Sequence, residues 1–203
     1  MWRGRAPPTV GRRHLDGRVA RGQETRQLLV EALVALVDAG ATAPSTDQVA
    51  HRAGVSVRLV FHHFQGTDGL VVAAVALQSA RHRHILFGVP PKGPAELRIR
   101  ALCRQRRIYF EKLTPVFRVA RARPRAEAGL HQVLADDRAR LRSQLAGTFA
   151  PEVATRGAEA DDLLDALEQA TSWEAWRARR DGRGQTVAAC ERAMAFAAGR
   201  LLQ

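Results

Sequence analysis

The side chains with the most chemical capacity lie close together in TDQVAHRAGVSVRLVFHHFQGTDGL, Thr46 to Leu70. Its second half sets Arg58, His62 and His63 among valines and phenylalanines. A guanidinium is a planar fork of donors that matches guanine O6 and N7 or a phosphate, and an imidazole can donate to a phosphate oxygen. Catalysis is a poor match for this set. The sequence holds no G-x-S-x-G, no H-E-x-x-H, no phosphate loop and no cysteines at metal spacing. His82 and His84 form H-x-H, but positions i and i+2 of a helix do not share a face. No catalytic residue, cofactor or metal site is therefore expected.

The elements that must position these residues are readable around them. Ser45 is a helix cap, and Gln48 three residues later completes a capping box. Val49, Ala50 and Ala53 then face inward until Gly54 breaks the helix. Ser56 is the next cap, and Val57, Val60, Phe61 and Phe64 supply the buried side of a two-turn helix. Gly66 and Thr67 end that helix and begin another, which is expected to run to about Phe87. A helix, a glycine-containing turn and a second helix make a helix-turn-helix arrangement. One side of the second helix is held to the scaffold. The other, with Arg58, His62 and Leu59, is left to face base edges.

At this point the chain resembles the TetR-type transcriptional regulators. STDQVAHRAGVSVRLVFHHFQGTDGL is similar to that family's pattern of a capping Ser/Thr, an apolar-Ala pair, A-G-V-S, an aromatic residue, H-F, and an acidic residue with leucine. The helix of RGQETRQLLVEALVALVDAG before it fits as well, so the specific resemblance covers residues 21–77. The closing ATSWEAWRARRDGRGQTVAACERAM is similar to the last helix pair of many members. The resemblance implies double-stranded operator DNA as partner, a small-molecule effector and a homodimer. It places DNA contacts at Ser45, Ser56, Arg58, Phe61, His62, His63 and Thr67. Three of these depart from the family: many members have a small residue at 58, tyrosine at 61 and lysine at 67. The lost hydroxyl and ammonium each imply one missing phosphate contact, and Arg58 adds a fork suited to guanine.

The remaining sequence reads as helix throughout, giving an all-α chain of about nine helices. Residues 1–20 read as a flexible basic arm, 21–70 as the DNA-binding domain and 71–203 as the effector and dimerisation domain. Leu29, Leu33, Leu36 and Val37 share one face of a first helix that begins near Thr25. Pro94 opens a helix carrying Ile99, Leu102, Tyr109 and Leu113, and Thr114-Pro115 reads as the start of a separate short one. Leu130, Leu134, Leu141 and Leu145 mark a further helix. Two last helices, 159–179 and 185–202, are expected to form the dimer seam through Leu163, Leu167, Ala170, Ala193, Met194 and Ala197. Arg106, Tyr109, Phe110 and Phe117 combine apolar area with a polar handle and are the candidates to line the effector site.

Composition narrows the class less than its numbers suggest. The net charge is +12, but only Lys92 and Lys112 are lysine among 32 basic residues. Such an arginine bias, with abundant Ala and Gly, is expected of a GC-rich genome and raises basicity everywhere. It leaves open a non-specific architectural nucleic-acid-binding protein as an alternative. Cys103 and Cys190 are lone thiols suited to a reducing compartment. No apolar leader or membrane-length run is present, so a cytoplasmic protein is expected.

Overall fold

A computed structural model describes the backbone of residues 10–88 and 92–203, and side chains from residue 19 onward except at 89–91. The described residues form α1 (Val10–Asp38), α2 (Thr46–Ala53), α3 (Val57–Phe64), α4 (Thr67–His82), α5 (His84–Phe87) and α6 (Ala95–Arg121). There follow α7 (Glu127–Thr148), α8 (Ala150–Ala154), α9 (Ala160–Ala170), α10 (Trp173–Arg177) and α11 (Val187–Leu201). No strand occurs among them. The fold is all-α, as expected. With α10 and the π-helical turn Ala178–Gly182 taken as one element, nine helices of eight or more residues are present among the described residues.

The chain divides into two compact units between Ala74 and Val75, inside α4. In the first, Leu29, Leu33 and Val37 of α1 are buried at helical spacing, as are Val49 and Ala50 of α2 and Val60 and Phe64 of α3. Each of these valine, leucine and phenylalanine side chains contributes roughly 1.5–3 kcal/mol by leaving water. The second unit is built on α6, which packs against α5, α7, α10 and α11. Leu102, Tyr109, Phe110, Leu113, Val116 and Phe117 of α6 are all buried.

Four boundaries differ from the sequence reading. Helix α1 starts at Val10 rather than near Thr25. Gly11, Gly17 and Gly22 each disfavour helix by about 1 kcal/mol relative to alanine, but no proline interrupts the ladder after Pro8. Residues 10–20 are thus helical, while residues 1–9 and the side chains of Arg12, Arg13 and Arg18 lie outside the described residues. Helix α4 ends at His82, and a turn at Arg83 separates it from α5. Arg83 keeps right-handed helical angles (φ −56°, ψ −27°), so the chain changes hydrogen bonding there without reversing direction.

Pro115 does not start a helix; it lies inside α6. A proline inside a helix removes one ladder bond at about 3 kcal/mol, yet Leu113, Val116, Phe117 and Ala120 keep one apolar face across it. Core packing outweighs the local cost. The expected helix 159–179 is instead two helices parted at Thr171–Ser172. Ser172 Oγ accepts the Ala175 N–H at 3.0 Å, the bond that the Thr171 carbonyl would take in a continuous helix. That carbonyl accepts from Arg106 Nη1 instead, at 3.0 Å.

Candidate nucleic-acid interface and ligand cavity

Helix α2 is held at both ends by its own sequence. Ser45 Oγ accepts from the Gln48 N–H at 3.2 Å, and Gln48 Oε1 accepts from the Ser45 N–H at 2.9 Å. Gly54 closes the helix in the left-handed region (φ 67°), with its N–H on the Ala50 and His51 carbonyls. Ser56 then has cap-like angles (φ −75°, ψ 149°), but its hydroxyl makes no capping bond and the residue is exposed.

Helix α3 packs Val60 and Phe64 inward, at 0% and 6% exposure, and Val57 is half-buried. Phe61, expected inside, is 53% exposed. Successive helical residues turn by about 100°, so Phe61 falls beside Arg58 (i, i+3) and His62 rather than under Val60. Arg58, Leu59, Phe61 and His62 are therefore the exposed row. His63 is half-buried, its ring 5.1 Å edge-on from that of His62. Burial, then the charges of His62 and Arg26, hold the His63 pKa below the ordinary imidazole value. Arg26 of α1 stacks 4.5 Å over the Phe64 ring.

The exit from α3 is tight. Gln65 and Gly66 both have positive φ (54° and 117°), and Thr67, half-buried, opens α4. A Cβ at Gly69 would stand 2.5 Å from the Phe64 carbonyl oxygen, so only glycine allows α4 to start this close to α3. The product is a short rigid helix with a basic and aromatic outer row, of a width that enters a DNA major groove.

The second unit holds a cavity of about 390 Å³ lined from α6, α7, α9 and the α10 segment. Arg106, Tyr109, Phe110 and Phe117 all line it, together with Leu113, Asp137, Glu168 and Trp173. The Phe117 and Trp173 rings meet edge to face at 4.8 Å. Asp137 is 6% exposed and accepts from Tyr109 Oη at 2.9 Å, from Ser79 Oγ of α4, and from Arg140 at 3.2 Å. Ser79 and Tyr109 also share a bond of 2.9 Å. Burial, and next the Asp137 charge, push the Tyr109 pKa well up, so the phenol remains a donor. Gln144 donates to the Leu86 carbonyl and Gln105 Oε1, which turns its own Oε1 toward Arg106 Nε at 3.1 Å.

Residues 28–74 match the family of bacterial regulatory proteins called tetR. The chain carries the N-terminal domain of that family. This TetR-type domain spans the end of α1 through the start of α4, the same residues whose packing presents Arg58, Phe61 and His62. A tetR-family transcriptional regulator from Streptomyces coelicolor has a similar fold (TM-score 0.70, 21% identity, 88% of this chain and 80% of that one). So do a transcriptional regulator from Rhodococcus sp. Rha1 (0.65, 21%, 88% and 96%) and a TetR-like transcriptional regulator from Rhodococcus sp. RHA1 (0.58, 21%, 97% and 97%). No curated protein sequence matches significantly. The family match is confined to residues 28–74, and over the rest of the chain the likeness is one of fold.

Within the TetR-type domain, helical spacing placed Arg58 and His62 on one outer row and put Phe61 on the buried side, whereas the resemblance had given Phe61 a DNA contact; the structure exposes it on that row. The sequence reading missed Arg26, because nothing in α1 alone shows that residue 26 reaches the end of α3. In the second unit it named four of the five α6 residues that line the cavity, but not Asp137 and Gln144 of α7, Ser79 of α4 or Thr171 at the break after α9, which line or brace it. Leu163, Leu167 and Met194, expected on a dimer seam, are core residues at 8%, 0% and 0% exposure. An apolar periodicity marks a buried face without naming what covers it. Both cysteines are free and buried, and burial pushes the Cys103 thiol up to about 12, leaving it unreactive. Among the described residues no three His, Cys, Asp or Glu side chains are placed to hold a metal, and no helix is long and apolar enough to cross a membrane.

Proposed function

We propose that the protein is a cytoplasmic, ligand-responsive regulator: a homodimeric repressor released from a two-fold operator by a small molecule. The observation that carries this reading is the outer row of α3, Arg58, Phe61 and His62, on a helix anchored by Val60 and Phe64. Ser56 and Thr67 flank the row and His63 backs it, in positions suited to phosphate contacts. Ser45 has a more limited part, because its hydroxyl already caps α2. The basic residues within 1–20 would add sequence-independent affinity. An architectural coating protein would need free surface cations. In the second unit Arg98, Arg100, Arg107 and Arg118 are instead paired with Glu152, Glu96, Glu191 and Asp181. The reading also makes the protein a non-enzyme.

A dimer seam is best placed on the outer side of α11. Phe196 is 68% exposed there, with Ala193 and Ala197 half-buried beside it. An aromatic ring flanked by small residues suits close approach of a second copy. DNA selected from a random pool should contain a palindrome protected over two half-sites. Phe196→Arg should give a monomer by light scattering and lose the two-fold footprint. A wild-type monomer at micromolar concentration, or uniform protection of all DNA, refutes the reading.

His63 supplies a pH signature. Its pKa is held down in the free protein, and a nearby phosphate would raise it. A pKa higher in the complex than in the free protein means that binding takes up a proton. Operator affinity should therefore rise as pH falls from 7.5 to about 6 at constant ionic strength. Fluorescence anisotropy should show this slope, and His63→Gln should flatten it. An unchanged slope in the variant removes His63 from the interface.

A further inference from the structure

The cavity wall contains a buried charge to which no carboxylate is hydrogen-bonded; Glu168 acts on it only through space. Arg106 is 0% exposed, and its guanidinium donates only to neutral acceptors. These are Gln144 Oε1 at 3.1 Å, the Thr171 carbonyl at 3.0 Å and hydroxyl at 2.5 Å, and the Leu141 carbonyl at 2.6 Å. Four of its five N–H groups are thus occupied, and one on Nη2 remains.

The cavity's carboxylates, by contrast, are already answered. Asp137 has Arg140 and two hydroxyl donors. Glu168 has Arg142 at 3.4 Å and Arg138 at 3.9 Å. Glu174 is exposed. Buried ions are normally paired, because removal from water is otherwise uncompensated. Burial holds the Arg106 pKa down to about 10, which still leaves it charged near neutrality. The rest of the lining offers apolar and aromatic area, above all Phe117 and Trp173.

We propose that the cavity takes a small amphipathic carboxylate, its apolar body against Phe117 and Trp173 and its anionic end paired with Arg106. This rests on the effector-responsive reading above and names the ligand class for it. The cavity's 390 Å³ is near the lower end of ligand pockets, roughly 300–1,000 Å³, which suits one compact molecule. The carboxylate supplies a directly bonded counter-charge, which Glu168 gives only through space, and an acceptor for the free N–H. An ammonium at the same place adds like charge to a desolvated cation. A neutral amide offers the acceptor without the charge.

Three near-isosteric probes separate these cases: 2-naphthoate, 2-naphthamide and 2-naphthylmethylammonium, each titrated calorimetrically into the full chain. The carboxylate should bind about tenfold or more tighter than the amide, with the ammonium weakest. Arg106→Lys should keep that order and Arg106→Gln should level carboxylate and amide. If the glutamine variant does not fold, the wild-type ranking still decides. An amide as tight as the carboxylate, a preference for the ammonium, or no carboxylate binding at millimolar concentration overturns the proposal. Operator release is measured separately with the same probes. A carboxylate that binds with the expected ranking but leaves the DNA complex intact supports this assignment and sinks effector control. Equal release by amide and carboxylate does the reverse.

Discussion

Arg58→Ala is expected to weaken binding to the selected operator by roughly 5- to 150-fold, about 1–3 kcal/mol. The reason is the position of the guanidinium. Residue 58 is exposed in the first turn of α3, one helical turn before Phe61 and His62. That places a fork of donors where the N-terminal part of a recognition helix meets base edges. The loss should concentrate at one base position, so a randomised operator should show a flattened preference there alone. Val60 and Phe64 hold the helix from the other side, so the variant should keep the wild-type thermal transition. Equal affinity with unchanged base preference would mean that Arg58 faces solvent in the complex. A uniform loss over all sequences would make it a phosphate contact instead.

Asp137→Ala should produce the largest stability change, about 2–4 kcal/mol in the second unit. Tyr109 Oη and Ser79 Oγ are both buried and both converge on this carboxylate. With the acceptor removed they retain only their mutual bond of 2.9 Å, which uses one hydroxyl proton and strands the other. The Arg140 pair adds little to the figure, because Arg140 is 41% exposed and screened by water. Calorimetry should show the transition lowered by roughly 5–15 °C. Asp137→Asn keeps an acceptor and should fall by less than half as much. The same variants test signalling. Ser79 belongs to α4, whose first turns lie in the TetR-type unit. A cavity ligand that displaces Tyr109 or Asp137 acts directly on that helix. By reciprocity, a ligand that loosens DNA must itself bind the DNA complex more weakly, by the same factor. Asp137→Asn should reduce that factor while leaving a measurable ligand affinity. A full factor in the variant would exclude this network as the relay.

What the sequence determined by itself is what local chemistry dictates. The Ser45–Gln48 box, the glycine stop at Gly54 and the spacing of Val60 and Phe64 are short-range rules, and α2 and α3 follow them. The alternation of apolar and arginine-rich positions along α6 likewise placed Arg106, Tyr109, Phe110 and Phe117 together, because residues three, four and seven apart share a helix face. Tertiary structure decided what neighbours do to such a face. Pro115 stays inside α6 because its apolar neighbours are buried on both sides of it. The helix after Glu159 breaks at Thr171 because Ser172 takes over a ladder bond and frees a carbonyl for Arg106. Leu163, Leu167 and Met194 turned out to face the core, which periodicity cannot distinguish from a face reserved for a second copy. The network of Asp137 with Ser79 and Tyr109 joins residues 58 and 28 positions apart. No spacing rule reaches that far; only the packing of α4, α6 and α7 brings those three hydroxyl and carboxylate groups out of water together.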